Sequence, residues 1–425
     1  MLMQALFTTL SITDMFWVGK LGPVAVAAVA LSGSALSVLF STGQLFTVGA
    51  LATSSRAAGA DSRQGVQESL RHALLFAVLF AVPAAAAGFV FAAPVLALFR
   101  PAADVMAAGV PYMRIIFVAL PAYFAGMVFY SVYQALGDTR TPMFIMLATN
   151  VLNALLDPVM IFGWLGFPRL GVAGAALATV LSQSGGLVVM ASILRQRGLL
   201  HIGGPIRLSA LRTLAGIGIP AGLQAVTRPL TGMAMFRLVT AFGTGATAAF
   251  GIGMRALEVM FIYLGALGSA GEVLVGQSLG QRRPELARRV ARRVTLIALL
   301  LQAGAMPLLF VFAPAVIAVF SRDPEVLRVG TGYLRTLAPM LVTVALVTGW
   351  GSAQRGAGAT GMPMVAALIA NWGVKIPLAL VLSRLAGMGL IGVWLGIGFS
   401  IVVEALLLSI GYFRGAWLRK EVAWS

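Results

Sequence analysis

The sequence predicts an all-α integral membrane protein of about twelve transmembrane helices. These form two parallel six-helix bundles related by a pseudo-two-fold axis along the membrane normal. Three observations carry this: the composition, the spacing of the apolar runs, and an internal repeat. Of 425 residues, 60% are hydrophobic and 10% charged, against about 25% charged in a soluble domain. So few charges cannot cover a water-facing surface, so most of the outer surface must face lipid.

A helix needs about 20 apolar residues to cross a bilayer. Such runs lie near 1–18, 24–52, 73–99, 107–135, 142–165, 171–194, 213–242, 246–276, 294–320, 330–354, 363–383 and 389–413. Proline and glycine punctuate the gaps, as in Gly22-Pro23, Arg100-Pro101, Thr141-Pro142 and Asp323-Pro324. Domains follow from these runs: a first lobe over 1–194, a linker over 195–212 and a second lobe over 213–425. The first run gives Asp14 only 13 preceding residues, against about 20 for its partner in the seventh run, which suggests that the natural start lies upstream.

The net charge is +17, carried in short gaps between apolar runs. That pattern reports membrane orientation rather than nucleic-acid binding. Eighteen of the thirty Lys and Arg residues follow even-numbered spans or lie at the C-terminus, and eight lie on the opposite side. Both termini are therefore expected in the cytoplasm, of a bacterial inner membrane. The chain has no cysteine and two histidines, His72 and His201, both in polar connections, so no metal centre is expected. A membrane enzyme would need a nucleophile–base pair or metal ligands within the spans, and an ATP-driven pump a phosphate-binding loop. Neither pattern is present. A passive channel is compatible with the composition.

Shifting the sequence by 221 residues aligns its halves. Gly22 meets Gly243, Gly59 meets Gly280, Tyr112-x-Arg114 meets Tyr333-x-Arg335, Pro142-Met143 meets Pro363-Met364, and Asn150 meets Asn371. After a three-residue gap Gly171, Gly174 and Ser182 meet Gly389, Gly392 and Ser400. One register over more than a hundred residues means duplication. Six spans per half give both halves one orientation, the arrangement of secondary transporters that hold substrate between two halves.

Ionisable side chains inside spans are costly and mark function. Asp14 and Asp157 stand out, both in the first half. Asn153 and Asp157 are i, i+4 and share a helix face. Pro158 is expected to disfavour helical geometry at Asp157 and to release carbonyls beside it, giving a proton or cation site. Burial of a carboxylate favours its protonated form. Further candidates for polar cavity residues are Asn150, Arg228, Arg255 and Glu258. Arg255 and Glu258, i, i+3, can neutralise each other; Arg228 can face the cavity or pair with Glu404 or Glu258. Lys375 and Glu272 have no assigned role.

These motifs together resemble the multidrug and toxic compound extrusion transporters, especially the branch named for DNA-damage-inducible proteins. The resemblance rests on Asp14-Met15-Phe16-Trp17-Val18-Gly19-Lys20-Leu21-Gly22 and on Gly137-Asp138-Thr139-Arg140-Thr141-Pro142. It rests further on Asn153-x-x-x-Asp157-Pro158, on Gly171-Val172-Ala173-Gly174 running to Thr179, and on Leu274-Val275-Gly276-Gln277-Ser278-Leu279-Gly280. It implies export of amphipathic, often cationic compounds, driven by inward H⁺ or Na⁺ flow, with no cofactor beyond the ion. It also implies that Asp14 and Asp157 form the proton-linked pair and that Asn153 and Thr179 belong to the same network. The expected partners are small amphipathic molecules and membrane lipids, with no nucleic acid, and the chain is expected to be a monomer. A sister branch carries an acid eight residues after a Gly-x-Pro in the seventh helix; here Gly218-Ile219-Pro220 leads to Arg228, so a second-half cation site of that kind is not expected. The alternative is a lipid-linked oligosaccharide flippase of a related group, disfavoured by the few intramembrane cations.

Overall fold

The computed structural model describes residues 2–201 and 203–420. The expected starts and ends at Met1 and Ser425, and Ile202 within the linker, lie outside them. The chain folds into two compact units, Met1–Gly216 and Ile217–Val422, divided within one long helix.

The first unit contains α1 (Leu2–Gly19), α2 (Pro23–Ser41), α3 (Gln44–Gly59), α4 (Arg63–Ala97), α5 (Ala103–Val118), α6 (Leu120–Ala135), α7 (Arg140–Phe162) and α8 (Val172–Gln196). The second contains most of α9 (Leu208–Thr240), then α10 (Thr244–Gly280), α11 (Pro284–Ala318), α12 (Pro324–Leu341), α13 (Val344–Gly356), α14 (Gly361–Leu368), α15 (Ile376–Leu380) and α16 (Gly389–Phe413). Every expected span falls on helix. Among the described residues, eight helices are long and apolar enough to cross a membrane, and two bent pairs bring the number to ten. The remaining two spans are α1 and α9, whose apolar runs are interrupted by Asp14 and by Gln224 and Arg228.

Helix and apolar run do not coincide everywhere. α4 and α11 begin about ten residues before the runs at 73 and 294. Their first turns carry Arg63 to Arg71 and Glu285 to Arg293, charged residues that continue the helix into water. An apolar run measures hydrocarbon thickness, not helix length. Two spans expected to be single are broken: α5 and α6 meet at 52°, α12 and α13 at 49°. Pro121, which lacks an N–H, stands in the first turn of α6. The bend in the second unit leaves the Leu341 carbonyl to a side chain, Gln302, which is fully buried and donates to it at 2.9 Å.

The repeat extends to backbone and contact detail. Gly22 and Gly243 both have φ near +106°, Gly137 and Gly358 both +77°, Gly171 and Gly389 both +57°. Arg114 donates to the Phe89 carbonyl at 3.3 Å, and its counterpart Arg335 to the Phe310 carbonyl at 3.1 Å. Each guanidinium also lies over its phenylalanine ring, at 5.2 and 5.5 Å. The units pack separate cores: Phe46, Phe76, Phe80 and Phe124 cluster in the first, Phe250, Tyr333 and Trp394 in the second. The halves differ in the eleventh span, where Ile369–Lys375 and Val381–Leu385 are π-helical.

Candidate functional site

In the first unit α1, α7 and α8 bring the polar residues together. α7 packs on both α1 and α8. The close approach of α8 depends on Gly174: a Cβ there would stand 2.4 Å from the Met160 carbonyl oxygen. Backbone N–H groups of Leu170 and Gly171 donate to Met160 and Ile161 at 3.1 Å each, which pins the start of α8 to the last turn of α7.

On this frame Asn153 and Asp157 are fully buried on one face of α7, with Asn150 a turn before. Asp14 reaches them from α1 and Thr179 from α8. Thr179 Oγ1 donates to the Ala175 carbonyl at 2.9 Å and lies 3.5 Å from Asp14 Oδ2. Asp14 is within interaction range of Asp157 and Asn153. Yet Asp14 Oδ1, both Asp157 oxygens and both Asn153 amide atoms meet no hydrogen-bond partner among the described residues. Buried polar atoms are nearly always paired, so five without a hydrogen-bond partner among the described residues set this cluster apart in the first unit.

Asp157 is itself helical, because α7 runs unbroken to Phe162 with Pro158 inside it. The expectation of a local break is corrected: tertiary packing on α1 and α8 outweighs the local preference of a pre-proline residue. The missing Pro158 N–H still deprives the Ala154 carbonyl, four residues back, of its helical donor. Tyr112 of α5 is a neighbour that the sequence reading did not place here; it lies within electrostatic range of both carboxylates. Lys20 is stacked over Phe16 and Trp17, at 4.5 and 4.3 Å, rather than paired with Asp14.

The second-half candidates fall in separate places. Arg255 and Glu258 form an exposed ion pair at 3.4 Å. Arg228 meets Glu404 at 3.5 Å. Glu272 is buried against Arg355 at 2.7 Å.

Comparison with known proteins places the chain among its relatives. Residues 1–159 and 220–381 match the family MatE. A "Probable multidrug resistance protein YoeA" of Bacillus subtilis is 29% identical, over 97% of this chain and 90% of its own length. An "FAD transporter" of Shewanella oneidensis is 30% identical, over 77% of this chain and 73% of its own. A crystal structure of the Vibrio cholerae MATE transporter VcmN in the bent form shares the fold, with a TM-score of 0.88 and 22% identity over 98% of this chain and 93% of that one.

Proposed function

This chain belongs to the MatE family of multi-pass membrane transporters, and from that premise we propose a secondary active exporter that couples inward H⁺ flow to extrusion of amphipathic, often cationic compounds. The observation that supports coupling in this chain is the buried carboxylate cluster of Asp14 and Asp157 with its unsatisfied oxygens. Two carboxylates in one apolar pocket repel when both are charged, so a proton arriving there relieves both the repulsion and the desolvation cost. Neutral carboxyls can also donate to Asn153 Oδ1 or to the carbonyl freed by Pro158, changing how α1 rests on α7. A substrate that prefers one of the two packings is thereby linked to the proton. Na⁺ is the competing ion, since carboxylate, amide and carbonyl oxygens serve it as well.

Within the family we favour the DNA-damage-inducible branch, because both membrane carboxylates of this cluster stand in the first unit and Arg228 occupies the seventh-span position. The excess of Lys and Arg after even-numbered spans supports a bacterial inner membrane with both termini cytoplasmic. The coupling ion stands in place of a cofactor, and the unit of function is a monomer.

The test is efflux of ethidium from proteoliposomes under an imposed pH gradient, with and without Na⁺. The expected outcome is efflux driven by the pH gradient alone, abolished in Asp157→Asn and Asp14→Asn while both variants remain folded. Efflux that requires Na⁺ overturns the proton assignment. Normal efflux by Asp157→Asn overturns the site.

A further inference from the structure

The second unit carries a polar cluster that the coupling site does not use. Arg228 of α9, Lys375 of the π-helical segment and Glu404 of α16 each lie near the middle of their spans: Arg228 midway along 213–242, Lys375 and Glu404 within 363–383 and 389–413. α16 packs directly against the π-helical segment. Asn371, on the same segment, ties the group together. Its Oδ1 accepts from Lys375 Nζ and lies 3.5 Å from Thr231 Oγ1, one turn along α9 from Arg228.

The charges do not cancel. Two cations face one anion, and Lys375 is within electrostatic range of both Arg228 and Glu404. The other intramembrane charges of this unit are accounted for: Arg255 with Glu258, Glu272 with Arg355, and Arg237 in the last turn of α9. The Arg228–Glu404 contact is loose. At 3.5 Å it is longer than the 2.7–2.9 Å of a charge-assisted hydrogen bond, and Glu404 Oε1, on a side chain only 8% exposed, accepts no hydrogen bond among the described residues. The Arg228 side chain is 56% exposed. A guanidinium at mid-depth is costly against hydrocarbon, which argues for water at this surface, and among the described residues the Arg228 guanidinium meets Glu404 alone, so most of its five N–H donors are uncommitted.

The local backbone singles out the same place. π-helical turns are rare and concentrate at functional sites; this one spans Ile369–Lys375 and carries both Asn371 and Lys375. At the matching positions of the first unit stand Asn150 and Ala154, while Asp14 and Asp157 are matched in the second by Met235 and Leu378. At these matched positions Asp14 and Asp157 have no acidic counterpart in the second unit, and Lys375 has no cationic counterpart in the first.

We propose that Arg228 and Lys375 bind an anionic group, a carboxylate or phosphate, on an amphipathic cargo molecule, with Glu404 as the internal counter-anion that the incoming group displaces. This rests on the exporter reading only in naming the anion as cargo; the binding site stands on its own geometry.

The test uses the full chain purified in neutral detergent, with fluorescein as anionic probe and ethidium as cationic control, read by fluorescence anisotropy. Fluorescein is expected to bind, and Arg228→Gln or Lys375→Gln to weaken it about tenfold or more, the loss of one charge-assisted hydrogen bond. Ethidium affinity should stay unchanged in both, and Lys375→Arg should retain fluorescein. Glu404→Gln should tighten fluorescein several-fold, a gain that misfolding cannot produce. No fluorescein binding, or equal binding by all variants, overturns the proposal. Displacement of fluorescein by short-chain phosphatidylglycerol at lower concentration than by fluorescein itself assigns the site to lipid headgroups and overturns the cargo. Binding needs no gradient, so failure of ethidium efflux would remove the coupling mechanism and leave this site standing.

Discussion

Asp138 sits outside the membrane, in the turn between α6 and α7. Partial burial pushes its carboxyl up, but the Thr141 backbone N–H at 3.0 Å, the Thr141 hydroxyl at 2.7 Å and Arg197 at 2.7 Å more than offset this and hold it below the usual carboxylate range. A carboxyl depressed in the folded state stabilises above its unfolded value of about 3.9 and loses that stabilisation as pH falls through the lower folded value. Asp138→Asn is therefore expected to lower the thermal unfolding temperature in detergent at pH 7, with the difference from wild type narrowing as pH falls below about 3.9. Because Arg197 is 41% exposed, the ion pair contributes below about 1 kcal/mol. A difference that persists at acid pH would show that charge is not the cause. At this scale the sequence was informative wherever the signal was local. Asn153 and Asp157 share a face by spacing alone. Tyr112 does not announce itself, because its approach to the carboxylates comes from a different helix, and its repeat partner Tyr333 sits in an apolar core with no acid beside it.

Three helix contacts depend on single residues. At the start of α8, Gly174→Ala places a Cβ against backbone of α7, 2.4 Å from the Met160 carbonyl oxygen, which cannot rotate away. The expected cost is about 1–3 kcal/mol of overpacking, read as a lower unfolding temperature together with weaker pH-driven efflux, since Asp157 lies one turn from the displaced backbone. The repeat partner Gly392 meets the Leu382 carbonyl carbon at 2.5 Å, and Gly392→Ala should destabilise comparably while leaving the carboxylate cluster in place. At the α12–α13 bend, Gln302 donates to the Leu341 carbonyl and accepts from Tyr263. Gln302→Leu leaves the buried Leu341 carbonyl unpaired, at about 1–3 kcal/mol, while the half-buried Tyr263 hydroxyl can turn to another partner; unchanged thermal stability would show that water or a rearranged α13 takes over. The bends and the π-helical turns were illegible in sequence for one reason. Apolar periodicity reports which residues avoid water, and a span bent by 50° or wound by one extra residue keeps the same apolar residues in the same order. Lys375 and Asn371 are i, i+4 and neighbour each other by spacing alone; what spacing does not convey is the approach of Thr231 and Glu404 from other helices.

At the scale of the whole chain, the connection that leads from α8 into α9 is fastened to the first unit by the opening turns of α4. Arg63 donates to the Arg197 carbonyl, Gln67 to the Gly198 carbonyl at 2.6 Å, and Arg71 to the Gly203 and Pro205 carbonyls at 3.0 and 2.8 Å. His72 is fully buried: Nδ1 lies 2.7 Å from the Glu68 carbonyl and Nε2 accepts the Arg207 backbone N–H at 3.0 Å. The helix extension of α4 beyond the apolar run thus has a purpose that hydropathy does not convey: it supplies a row of donors that meet the Arg197, Gly198, Gly203 and Pro205 carbonyls. Backbone engaged in this way is withheld from a protease, which needs it extended and unpaired. Trypsin should therefore cut slowly after Arg207 in the native protein, while Arg71→Ala combined with His72→Phe, which removes three of these hydrogen bonds and leaves Arg207 in place, should raise cleavage there several-fold. Cleavage after Arg282, in the turn between α10 and α11 and untouched by these substitutions, serves as the internal standard. Equal rates at Arg207 in both proteins would mean that the connection is held by something other than α4, and that the row of donors is incidental to it.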